Sequence, residues 1–137
     1  MITVDLHSHI LPGMDDGAKD TSISLELLKM EAEQGIEHIV STPHFHLRNE
    51  NIANFAERRK ESFEKLKNSI SGTSLDGLFD FHLGAEVRYD PSLTEEKILI
   101  LCAFPERMFC SLNFPHPIIL NLQKKFFTAF SCEVILF

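Results

Sequence analysis

Strand and helix patterns alternate along almost the whole chain, and that order leaves few folds open. Ile2, Val4 and Leu6 alternate with Thr3, Asp5 and His7, the period-two pattern of a strand. Residues 22–34 read as a helix: Leu25, Leu28 and Ala32 form one stripe, Leu27 lies beside it, and Asp20, Thr21 and Ser22 are N-cap candidates. Gly35 sits where such a helix would end in a left-handed residue. A short strand follows at 37–41. A second helix spans 52–70, capped by Asn51, with Ile52, Ala56, Phe63, Leu66 and Ile70 on a stripe that Arg59 interrupts. A third strand at 78–87, a short helix at 92–99, a fourth strand at 108–114, a helix at 119–130 and a fifth strand at 133–137 complete the series. This order predicts an α/β fold of parallel strands joined by helical crossovers. A closed α/β barrel and an open doubly wound sheet both satisfy it. No glycine-rich nucleotide fingerprint follows the first strand, which weakens the dinucleotide-binding version. The 137 residues suit one domain, 1–137.

The polar residues of interest fall at the C-terminal ends of these strands, the edge on which α/β folds build sites. His7 and His9 end the first strand. Side chains repeat every two residues, so they share one face, Asp5 with them; that face is the inward one if Val4 and Leu6 pack on helices. After a break at Pro12-Gly13 comes Asp15-Asp16-Gly17, a sequence that can be a plain Asx turn or can offer a ligand. His44 ends the second strand, aimed by Pro43, and Glu86 ends the third behind Gly84-Ala85. Two imidazoles with nearby carboxylates suit Zn, Fe or Mn, so ligand type alone does not name the metal. A buried Glu at such an edge is costly unless paired or metal-bound, and a carboxylate can bridge two ions. His46 reads as a loop residue; His38, His82 and His116 read as structural or surface residues.

The charge of −7 gives no electrostatic case for nucleic acid or an anionic membrane. Three cysteines (Cys102, Cys110, Cys132) form no C-x-x-C pair, as in a reduced cytoplasmic protein. No signal peptide precedes the first strand and no apolar run reaches the ~18–20 residues of a membrane span. The expected location is the cytoplasm.

The strings H-S-H-I-L-P-G-M-D-D-G-A-K-D, S-L-E-L-L, Q-G-I … I-V-S-T-P-H and G-A-E-V-R-Y resemble the PHP (polymerase and histidinol phosphatase) superfamily. Within it they resemble the bacterial capsule and exopolysaccharide tyrosine-protein phosphatases of the CpsB/YwqE kind, over most of residues 1–122. The resemblance implies a distorted β/α barrel with a divalent metal cluster, usually manganese, at the C-terminal strand ends. It implies metal ligation by His7, His9, Asp16 (rather than Asp15), His44 and Glu86, with Glu86 bridging, and catalytic roles for His7, His9 and Glu86. The implied reaction is hydrolysis of phosphotyrosine on a tyrosine autokinase, by water activated at the metals, with no phosphocysteine.

The chain departs from the family at two places. Asn113 stands in Ser111-Leu112-Asn113-Phe114-Pro115 where the family usually has a Glu, and the later His-Pro-Glu-Arg and Asp-x-His motifs are absent. The expected domain is therefore a C-terminally truncated PHP domain of about five β-α units, an incomplete barrel compatible with an oligomer in which a partner chain completes it. Two alternatives stand beside the phosphatase: an inactive remnant that binds metal weakly, and a hydrolase like histidinol-phosphate phosphatase.

Overall fold

The computed structural model describes residues 3–88, 90–94, 97, 109–113 and 133–136. Its elements run β1 (Val4–Ser8), α1 (Thr21–Glu33), β2 (His38–Ser41), β3 (His44–Phe45), α2 (Ile52–Ile70), β4 (Asp80–Leu83), β5 (Ala85–Arg88), β6 (Phe109–Asn113) and β7 (Glu133–Leu136). Strands β1-β2-β4 form one sheet and β3-β5-β6-β7 another, and every pairing among the described residues is parallel. The mixed α/β class and the parallel order are as the alternation predicts.

The sequence predicts an unbroken third strand, 78–87, and the structure divides it at Gly84 into β4 and β5. The division coincides with the Thr42-Pro43 break between β2 and β3. Even so, the pairing keeps step across both breaks. His38 faces Asp80 and Ser41 faces Leu83; beyond the breaks His44 faces Glu86 and Phe45 faces Val87, at the same offset. Gly84 N–H still donates to the Ser41 carbonyl (2.8 Å) and Glu86 N–H to that of Pro43 (3.0 Å). What interrupts the ladder is the other side of Pro43: proline has no N–H, and the His44 N–H leaves the sheet for Asp15 Oδ2 (2.9 Å).

Both helices start as their caps predict. The Asp20 carboxylate accepts from Ser22 and Ile23 N–H, and Asn51 Oδ1 accepts from Asn54 N–H. Gly35 follows α1 with φ +73°. The apolar stripe of α2 differs from the predicted one. The buried positions are Phe55, Arg59, Ser62, Leu66 and Ile70, so Arg59 lies within the stripe rather than interrupting it. Two polar residues are tolerated there because each has a specific partner. Arg59 Nη1 donates to the Gly84 carbonyl and its guanidinium lies over the Phe55 ring (5.3 Å), while Ser62 Oγ donates to the Pro12 carbonyl (2.8 Å).

The core joins Leu28 of α1, Phe55 and Leu66 of α2, Ile39, Phe45, Leu83 and Val87 of the strands, and Ile10, Leu11 and Met14 of the loop after β1. Complete burial of each such side chain contributes roughly 1.5–3 kcal/mol. Val4 and Leu6, expected to pack on helices, are 42% and 37% exposed. Of the predicted 92–99 helix, Ser92 lies in a turn with Pro91, Leu93 and Thr94 are not helical and Lys97 is; residues 95–96 and 98–99, like the 119–130 helix, lie outside the described residues. No helix among the described residues is long and apolar enough to cross a membrane.

Candidate metal centre

An irregularity in β1 sets the first two ligand candidates. Val4 pairs with His38 and Asp5 with Ile39, yet Ser8 pairs with Ser41, so β1 carries one extra residue between Asp5 and Ser8. Partners in a parallel ladder share a face, and Ile39 and Ser41 are two apart. Asp5 and Ser8 therefore face one way, and His7, next to Ser8, faces the other. The expectation that Asp5 shares the histidine face is thus overturned by the bulge, since a slip of one residue inverts every later side chain. Asp5 is confined to a local role, accepting from the His7 N–H at 3.0 Å.

The face that receives His7 also receives His44 and Glu86. A single carboxylate oxygen, Glu86 Oε2, lies 3.4 Å from His7 Nε2, 3.3 Å from His9 Nε2 and 3.0 Å from His44 Nδ1. The two Nε2 atoms of His7 and His9 are 3.2 Å apart. On the far side of His44, Nε2 is 3.2 Å from Asp16 Oδ1. All five residues predicted from the sequence as ligands are therefore in one constellation.

The D-D-G loop forms the Asx turn at Asp15 and sets Asp16 beside His44. Asp15 is the inner residue: its side chain is 5% exposed, against 85% for Asp16. Its Oδ1 accepts from Gly17 N–H (3.0 Å), the Asx turn, while Oδ2 meets His9 Nδ1 (2.7 Å) and the His44 N–H (2.9 Å). Asp15 so ties the loop to β1 and β3 at once. Gly17 has no alternative residue, because a Cβ there would strike the His9 backbone and Cβ. His7 is oriented from the break just after β2, its Nδ1 3.0 Å from Thr42 Oγ1. Asp15 and Thr42 as orienting groups were not read from the sequence; the i to i+6 reach from His9 depends on the loop's closure by Ala18 N–H on the His9 carbonyl (3.0 Å).

The electrostatics follow the contacts. Burial lowers the His7 pKa, against the attraction of Glu86. The Asp15 hydrogen bond raises that of His9, against its burial. Burial pushes the Asp15 carboxyl up, but hydrogen bonds from His9, Gly17 and His44 together outweigh it and hold the group below the usual carboxylate range.

This donor set fits a divalent cation. With Nδ1–H of His9 given to Asp15, its Nε2 lone pair points at the Nε2 of His7 and at an anionic oxygen, an arrangement of converging lone pairs that a cation satisfies. Two overlapping groups have ligand atoms within 4.8 Å of one another: His7, His9 and Glu86; and His9, Asp15, Asp16 and His44. His46 stays outside, its ring perpendicular to that of His44 with centroids 6.2 Å apart. It lines instead a cavity of about 290 Å³ with Leu47, Arg48, Asn49, Arg88 and Asp90. There Arg48 Nε donates to Asp90 Oδ2 (2.9 Å), and Ser92 with Arg48 holds the Asp90 carboxyl down to about 2. Asn113 is aligned with Arg88 in the β5-β6 register.

The chain is 37% identical over 92 residues to a putative tyrosine-protein phosphatase CapC of Staphylococcus aureus, covering 67% of this chain and 34% of that protein. It is 51% identical over 41 residues to the tyrosine-protein phosphatase YwqE of Bacillus subtilis, covering 30% of this chain and 16% of that protein. Its fold matches a solved structure from work on YwqE of Bacillus subtilis and CpsB of Streptococcus pneumoniae, described as unique metal-dependent tyrosine phosphatases. That match has a TM-score of 0.59 at 22% identity, over 98% of this chain and 54% of the other. The chain thus spans about half the length of the solved structure and less of the curated relatives. Residues 3–103 match the family of capsular polysaccharide synthesis proteins CpsB/CapC, and the chain belongs to that family.

Proposed function

We propose that this protein is a metal-dependent protein-tyrosine phosphatase of capsule or exopolysaccharide synthesis, acting in the cytoplasm on the phosphotyrosine of a bacterial tyrosine autokinase. The observation that carries the reading is the convergence of three imidazoles on one oxygen of Glu86 at the C-terminal strand edge. The described strands form part of a distorted PHP-type β/α barrel within one domain, 1–137. His7, His9, Asp16, His44 and Glu86 hold the metal, with manganese the ion of choice and iron or zinc able to occupy the same donors. A bound divalent cluster supplies a lowered water pKa and neutralises charge on the phosphoryl oxygens.

The chain's own residues do the rest. Asp15 holds the His9 proton on Nδ1, which keeps Nε2 available as a donor atom. Thr42 fixes the ring of His7. Glu86, 12% exposed in its side chain, places its charge where His7, His9 and His44 meet. The cavity lined by His46 and Arg88 receives the phosphotyrosyl segment, with Arg88, two residues beyond Glu86, supplying positive charge, while Arg48 is paired with Asp90.

Purified protein with Mn²⁺ is expected to hydrolyse p-nitrophenyl phosphate and a phosphotyrosine peptide, and His7→Ala or Glu86→Ala to abolish both activities. Hydrolysis indifferent to these changes and to chelators contradicts the mechanism.

A further inference from the structure

The face that carries His44 and Glu86 carries a second cluster at its opposite end. His38 pairs with Asp80 and Val40 with His82, so His38, Asp80 and His82 share a face. The same parity continues through the unbroken register to His44 and Glu86. From His38 to His44 is six residues, about 20 Å along the strands at ~3.3 Å per residue. The two clusters are therefore separate places on one surface.

At this N-terminal end, Asp80 Oδ2 lies 3.3 Å from His38 Nδ1 and 3.7 Å from His82 Nε2. The two rings stack 10° from parallel, with centroids 5.9 Å apart, so both edges address the same carboxylate. One ligand atom from each residue lies within 4.8 Å of the others. A tetrahedral zinc ion with bonds of about 2.0–2.1 Å holds its ligand atoms roughly 3.4 Å apart; the His38–Asp80 contact at 3.3 Å has that spacing, and the His82–Asp80 contact at 3.7 Å is slightly wider. Two imidazoles, one carboxylate and a position left for water form a donor set suited to a late first-row divalent ion. His38 comes from β2 and both other residues from β4, so an ion here ties the N-terminal ends of two strands.

We infer that His38, Asp80 and His82 form a second divalent metal site, selective for zinc-like ions and structural in role, at the end of the sheet opposite the centre described above. The inference does not depend on the phosphatase reading. The full-length chain, stripped of metal, is dialysed against micromolar ZnCl₂ near pH 7.5 and the bound zinc is counted. His38→Gln/His82→Gln is expected to bind one zinc fewer than wild type. His7→Ala/His9→Ala is expected to keep that zinc, with the His38 and His82 ring-nitrogen resonances shifting as it binds. Should the Gln double variant not fold, Asp80→Asn retains both rings and removes the negative charge they share; its zinc affinity at this site is expected to fall about tenfold or more. Equal zinc in wild type and the His38→Gln/His82→Gln variant, or an unchanged titration in Asp80→Asn, or unmoved His38 and His82 resonances, overturns the site and leaves a proton-bridged His–Asp pair. Loss of all bound zinc in a folded His7→Ala/His9→Ala protein overturns the site as well, because the zinc then belongs to the other centre.

Discussion

The two ends of the β2-β3 and β4-β5 face carry the same donor chemistry but are supported differently. At the C-terminal end Glu86 is 12% exposed in its side chain and Asp15 5%. Two imidazoles there are oriented by a neighbour, His9 by Asp15 and His7 by Thr42, and Asp15 also holds the His44 backbone. At the N-terminal end Asp80 is 65% exposed. What separates them is the burial of the shared carboxylate, not the ligand types. A site with its rings and tautomers already set loses little entropy on binding an ion and can do chemistry on a substrate; an exposed clip can only join two strands.

This contrast can be broken most strongly at Glu86. Glu86→Gln keeps the shape and removes the charge at the meeting point of three imidazoles, and should lower phosphatase kcat by at least about a hundredfold. His38→Gln should leave kcat unchanged. A kinetic assay of the two variants side by side checks both expectations.

The hinge between the two ends is Gly84, whose carbonyl is held by the buried Arg59. Arg59→Leu leaves that carbonyl unsatisfied in the core and should cost about 3 kcal/mol, read from urea unfolding of the metal-free chain. A cost under about 1 kcal/mol would show that Gly84 does not depend on it.

Asp15 orients His9 and the His44 backbone without being the exposed carboxylate. Asp15→Asn should weaken metal binding at the C-terminal end about 10–100-fold, measured by competition with a chelating dye, while the zinc count attributed to His38, Asp80 and His82 stays the same.

The smallest effect is in pH. In the metal-free chain the Asp15 carboxyl is held low, chiefly by its hydrogen bonds and against its burial. Its contribution to stability is present above the unfolded value near 4 and disappears as pH falls through the folded one. The His9 pKa is raised, so its contribution is full below the unfolded value near 6.5 and is lost as pH rises through the folded one. The stability difference between wild type and Asp15→Asn should therefore be greatest between about pH 4 and 6.5. A flat difference across pH 4–9 would show that the pair is not coupled to folding.

Much of the candidate centre was legible because its signals are local. His7 and His9 need only the two-residue repeat of a strand, and His44 and Glu86 need only their place at strand ends. The caps Asp20 and Asn51 are equally local. What stayed hidden depends on distant partners. The β1 bulge has no signature of its own and shows only in the pairing with β2. Arg59 and Ser62 look like errors in an apolar stripe until the carbonyls of Gly84 and Pro12 are in place. His38 and His82 lie on different strands, and only the register brings them to Asp80. The division of the third strand follows from Pro43 on its neighbour, not from anything within 78–87.

Counting manganese tests most directly whether the C-terminal cluster is a metal centre. Metal-free wild-type chain dialysed against micromolar MnCl₂ is expected to retain at least one Mn²⁺ per chain, and a folded His9→Ala/Glu86→Gln variant none. Equal manganese in the two proteins would contradict it.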